Sequence, residues 1–77
     1  MNEDLKDQCF NQRKAIEEIK KYVHGMKRHS DLPDMNEELR GEAIANITLA
    51  YRHLEDARMR LGKAVQAIDG GTSVYPK

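Results

Sequence analysis

Apolar residues in the first third of the chain recur in steps of four and three: Leu5, Cys9, Ile16, Ile19, Val23 and Met26, with Gln12 the one polar member of the series. That rhythm keeps one side of an α-helix turned toward a partner helix, and it predicts a helix over about 3–29. Phe10 and Tyr22 widen the seam on one flank. The pattern fades at KRHSDLPD, where Lys27, Arg28 and His29 suit a helix C-terminus and Ser30, Asp31 and Pro33 signal a turn over about 30–34.

A second periodic stretch follows. Asp34 with Glu37 three residues later has the form of a capping box, so a second helix is expected from about Met35 to residue 69. From Ala43 onward it divides into heptad columns: Ala43, Ala50, Ala57 and Ala64; Ile47, Leu54, Leu61 and Ile68; Ile44, Tyr51, Arg58 and Val65. Gly70 and Gly71 stop it in the way a left-handed C-cap requires, leaving residues 70–77 as a tail. Each helix is on the order of 40 Å long at 1.5 Å per residue, and a turn this short makes them antiparallel neighbours in a single hairpin domain. Gly41 and Gly62 each cost the second helix about 1 kcal/mol relative to Ala, a cost that fits Gly62 if something approaches its backbone.

Two helices cannot cover the alanine column and the Ile/Leu column on both sides at once. A chain of 77 residues also buries only about 60% of its unfolded surface. With no Trp, one Phe and a third of its residues charged, it has little with which to build a core alone. The expected fold is therefore all-α, a two-helix antiparallel hairpin whose uncovered stripe faces other copies in a symmetric helical homo-oligomer. Small side chains in the alanine column would let helix axes come closer than the usual 8–10 Å.

Thirteen basic residues balance thirteen acidic ones, so no global field draws the chain to DNA or an anionic membrane. Any bound anion has to be met by a local cluster. A lone cysteine excludes an internal disulfide framework and suits a reducing compartment. No apolar run approaches the ~20 residues of a membrane span, and MNEDLKD lacks a signal-peptide core, so the expectation is a cytosolic protein with no membrane partner.

Metal and catalytic readings find little footing. His24, His29 and His53 share no ligand spacing and there is no Glu-x-x-His, so neither metal nor cofactor is expected. Cys9 falls on the seam with no histidine at a helical neighbour position and reads as a small buried hydrophobe. The glycine pair at 70 and 71 ends a helix and does not open one, which is unlike a phosphate loop.

The stretch AYRHLEDARMRLGKA leaves Arg52, Arg58, Arg60 and Lys63 to explain. A solvated face accounts for Arg52, which can pair with Glu55 and Asp56, and for Arg60, which can pair with Asp56, at a few tenths of a kcal/mol each. Arg58 stands beside the packing surface, where Glu55 at i−3 is its nearest sequence partner. Symmetry supplies the other reading. Around a two-fold or three-fold axis, one Arg58 or Lys63 per chain becomes a ring of cations that a phosphate-bearing anion would relieve. Tyr51 and Phe10 are then placed to stack on bases, which describes a receptor for a cyclic oligonucleotide.

The stretch AIANITLAYRHLEDARMRLGKAVQAIDGG resembles the hairpin domain of small bacteriophage anti-defence proteins of the anti-CBASS and anti-Thoeris type. HLEDARMRLGKA with its glycine stop is the most specific part, and FNQRKAI at 10 to 16 looks like a looser version of that family's basic N-terminal motif. Residues 17 to 40 match nothing. The resemblance implies a sponge in the cytoplasm of the infected bacterial host: a helical oligomer, commonly a hexamer, that withholds cyclic nucleotide messengers without cleaving them. Pockets for cyclic dinucleotides or glycocyclic ADP-ribose, and for cyclic trinucleotides, come with it. Carried over by position, the ligand-binding residues are Arg58 and Lys63 in the matched motif, Arg52 and Tyr51 just before it, and Phe10, Asn11 and Lys14 from the looser match.

Two functions therefore stand side by side. One is a non-enzymatic sponge that binds cyclic oligonucleotide second messengers. The other is a structural or adaptor coiled coil, in which the alanine column meets a protein partner and the arginines only answer Glu55 and Asp56.

Overall fold

The computed structural model describes residues 2 to 70, with side chains from Asp4 onward. It is an all-α antiparallel hairpin of α1 (Asn2–Gly25) and α2 (Glu37–Ile68). At 1.5 Å per residue the 32 residues of α2 span about 48 Å, which sets the 51 Å length of the molecule. Among the described residues no helix is long and apolar enough to cross a membrane.

The connection is longer than the turn expected at 30–34. α1 gives way to a 3₁₀ turn at Met26–Arg28, and the chain becomes extended at His29 (ψ 138°). A second 3₁₀ turn, Leu32–Asp34, carries Pro33 in its first positions and buries Leu32. This turn overrides the expected capping box, because the backbone of Asp34 is held by it: the Asp34 N–H donates to Asp31 O at 3.2 Å and the Met35 N–H to Leu32 O at 3.1 Å. The N-cap is Asn36, whose Oδ1 accepts from the N–H of Glu38 at 2.9 Å and of Leu39 at 3.4 Å. It does the work expected of Asp34, two residues later. At the other end α2 stops at Ile68, and Gly70 takes the left-handed conformation expected of a glycine C-cap, with φ +82°. Gly71 and the rest of the tail, including Tyr75, lie outside the described residues.

The hairpin seam departs from the expected one. Cys9, Ile16 and Val23 do face α2, but Gln12 is exposed, and Leu5, Ile19 and Met26 are each about half exposed at 53, 47 and 49%. Arg13 and Lys20 occupy the inward positions instead, Lys20 with only 7% of its surface left to solvent. On α2 the Ile/Leu column and the column of Ile44, Tyr51, Arg58 and Val65 meet α1, and Val65 is completely buried. Ala50 and Ala57 are exposed.

Cross-helix chemistry explains this rotation of α1. Lys6 Nζ meets Asp69 Oδ1 at 3.0 Å, Arg58 Nε meets Glu17 Oε1 at 2.7 Å, and Lys20 Nζ lies 3.7 Å from Glu55 Oε2. The Lys20 ammonium also sits 5.1 Å from the centre of the Tyr51 ring, where a cation is attracted by the aromatic face. Lys and Arg can join such a seam because their methylene stems cover apolar surface while their heads stay polar. The alternative setting, with Ile19 and Met26 inward, would forfeit all of these contacts.

Candidate phosphate-binding grooves

Turning Arg13 inward places it beside the basic face of α2. An open groove of about 600 Å³ runs along α2, lined by Arg52, Arg58 and Lys63 with Glu55, Asp56, Met59 and Gln66, and reached from α1 by Arg13. Gly62, which is buried, also lines it. A second groove of about 350 Å³ continues along α1, lined by Phe10, Arg13, Lys14, Glu17 and Arg58. Arg13 and Arg58 belong to both, so the two form one strip divided by a pair of guanidinium groups.

The strip is locally cationic on a chain of zero net charge. Arg13, Lys14, Arg52, Arg58 and Lys63 make five positive groups against three carboxylates, Glu17, Glu55 and Asp56. Among the described residues Lys14, Arg52 and Lys63 make no ion pair within 4 Å. Arg52 therefore lacks the pairing with Glu55 or Asp56 that a solvated face predicts, whereas Arg60 does approach Asp56, at 3.9 Å. Arg58 is engaged, but across the hairpin with Glu17 at 2.7 Å and not with Glu55. Glu55 turns to Lys20, and Glu17 Oε1 also lies 3.4 Å from Lys20 Nζ.

Five of the seven residues expected at a ligand site thus fall on the strip: Arg52, Arg58 and Lys63 in the larger groove, Phe10 and Lys14 in the smaller. Asn11 is exposed and lines neither. Tyr51 packs next to the seam, its ring 5.6 Å from that of His24 and facing the Lys20 ammonium. Arg13, Glu17, Met59 and Gln66 are lining residues that the sequence reading did not single out. A seam read as Cys9, Arg13, Ile16, Lys20 and Val23 has the same four-and-three spacing and would have found Arg13.

Forked guanidinium donors converging from two helices suit the oxygens of a phosphate, each able to bind bidentately where a point charge cannot. Phe10 adds an aromatic side chain to the lining of the smaller groove, the kind of group on which bases stack. Among the described residues no cluster of three or more His, Cys, Asp or Glu is arranged to hold a metal ion. Comparison with protein-family models, with characterised proteins and with solved structures gives no significant match to this chain.

Proposed function

We propose that this chain binds and sequesters cyclic oligonucleotide signals of bacterial immunity without cleaving them, as a homo-oligomer acting in the cytoplasm of a phage-infected bacterium. The observation that carries the reading is the convergence of Arg13, Arg52, Arg58 and Lys63 from two helices on one groove with an aromatic ring at its continuation. Five cations against three carboxylates leave the strip with a positive surplus that a bound anion would answer. The likeness of HLEDARMRLGKA to anti-CBASS and anti-Thoeris hairpins supports cyclic di- or trinucleotides, or glycocyclic ADP-ribose, as that anion, and a hexamer as the assembly. Self-association has its own support in the half-exposed Leu5, Ile19 and Met26, a cost no isolated hairpin of this size carries to advantage.

The test is a thermal-shift panel of a cyclic dinucleotide, a cyclic trinucleotide and glycocyclic ADP-ribose, followed by heat denaturation and mass spectrometry of the released ligand. At least one compound should raise the melting temperature and return with its mass unchanged. Arg58→Ala combined with Lys63→Ala should abolish the shift while leaving the oligomer mass intact. A panel with no shift overturns the reading.

A second reading is favoured by one contact. The 2.7 Å pair between Glu17 and Arg58 neutralises the central cation within the hairpin, as expected of a structural or adaptor coiled coil. That protein would be indifferent to every nucleotide in the panel and would be recovered with a protein partner.

A further inference from the structure

The face opposite the grooves is built differently. Starting from the seam and stepping toward the grooves, α1 presents Arg13 and Glu17 and α2 presents Glu55 and Gly62; stepping the other way, α1 presents Leu5, Ile19 and Met26 and α2 presents Ala50 and Ala57. In an antiparallel pair the same rotational sense leads to the same side on both helices, so these last residues share one face. Along α1 that face runs through positions 5, 8, 12, 15, 19, 22 and 26, none of which is Asp, Glu, Lys or Arg in a chain that is one-third charged. Leu5, Ile19, Tyr22 and Met26 are all exposed on or beside it.

The two stripes are complementary in size and in level. The hairpin's cross-helix contacts Lys6 with Asp69, Glu17 with Arg58, Lys20 with Glu55 and His24 with Tyr51 all join residues whose numbers add to 75. By that rule Ile19 stands level with Ala57, Met26 with Ala50 and Gln12 with Ala64, each within one residue. A bulky line on α1 therefore runs beside a small line on α2 at matching heights.

We propose that this face binds a second copy of the same chain about a two-fold axis parallel to the long axis of the hairpin, α1 lying on α2 of the partner. That operation keeps every level and exchanges the helices, so Ile19 seats on the partner's Ala57, Met26 on the partner's Ala50, and the reverse contacts follow by symmetry. Large on small at each level is the arrangement that interdigitates without voids. A two-fold axis across the helices would instead set α1 on α1 and alanine on alanine. The size of the face agrees: 51 by 18 Å is about 900 Å² per copy, against ~800 Å² per partner in a stable interface. On α1 no charged group has to be stripped of water to form the contact, and on α2 Arg60, at the edge of the alanine row, keeps Asp56 as its partner at 3.9 Å. The grooves remain on the outer surfaces, free to meet ligand or further copies. The inference rests on the self-association reading above and specifies which face makes the contact.

A size-swap cycle tests it, with apparent mass followed against concentration by light scattering and sedimentation. Ala57→Leu lies on an exposed helix position and substitutes one good helix former for another, so the hairpin itself is kept, which circular dichroism checks. Ala57→Leu and Ile19→Ala should each raise the self-association constant Kd at least tenfold. The double variant, which restores large on small with the roles reversed, should return to within about threefold of the unaltered chain. Ala57→Leu without effect, or a double variant as weak as the two losses combined, overturns the geometry while leaving self-association standing. An unaltered chain that is monomeric at every concentration overturns both.

Discussion

Glu17 is the residue through which stability and ligand binding oppose one another. Its Oε1 lies 2.7 Å from Arg58 Nε and 3.4 Å from Lys20 Nζ, so it occupies the position on Arg58 that a phosphate oxygen would take. Glu17→Gln keeps the shape and removes the charge. The Arg58 pair is about 40% exposed on both sides, which places its worth at about 0.2–1 kcal/mol after solvent screening. Lys20 keeps Glu55 at 3.7 Å, but its side chain is only 9% exposed, so weakening its nearer partner costs about another 1 kcal/mol. The combined loss of roughly 1–2 kcal/mol lowers the melting temperature by about 4–8 °C per kcal/mol for a chain of this size.

Affinity should move the other way. In the unaltered protein Arg58 has to leave Glu17 before it can grip an anion, and that 0.2–1 kcal/mol opposes binding. With the charge gone, the dissociation constant for a cyclic dinucleotide should fall by about 1.4- to 5-fold. Thermal unfolding of the free protein and calorimetric titration, both at one protein concentration because association shifts apparent stability, read the two signs independently. Affinity that falls together with stability would refute the reasoning, since Glu17 would then be shaping the groove and not competing for it.

Among the described residues Val65 is the one fully buried side chain; Val65→Ala removes two methyl groups and leaves a cavity, for a loss of about 2 kcal/mol measured by denaturant titration. Asn36→Ala deletes the acceptor for the Glu38 and Leu39 N–H groups and should cost about 1 kcal/mol, seen as a lower melting temperature with increased amide exchange in the first turn of α2.

Elements fixed by short-range chemistry were legible in the sequence. Gly70 had to end α2 because a left-handed residue was needed there, and the Ile/Leu column had to meet α1 because no other neighbour was near. The start of α2 was misread for an equally local reason: Asp34 and Asn36 are both good caps, and only the 3₁₀ turn that Pro33 begins shows which one is left free. Arg13 is not legible in an apolar pattern, since a seam drawn only through apolar residues passes over a long basic side chain that packs by its stem. Arg58 was correctly placed beside the packing surface, but its partner was sought at i−3 when the decisive carboxylate stands 41 positions earlier, on the other helix.

The rotation of α1 is the step from which both functional surfaces follow. Exchanging the expected inward Gln12 and Ile19 for Arg13 and Lys20 turns the helix by roughly half of the 100° between successive residues. That turn carries Arg13 and Glu17 to the basic flank of α2 and closes the strip that includes Phe10, Lys14, Arg52, Arg58 and Lys63. The same turn carries Leu5, Ile19 and Met26 outward beside the exposed Ala50 and Ala57. Had the helix settled in the apolar register, it would have buried more oil and lost the groove and the docking face together. A hairpin that gives up apolar burial within one chain recovers it only where another surface covers the stripe, so the charged groove and the need for a second copy are two results of one packing choice.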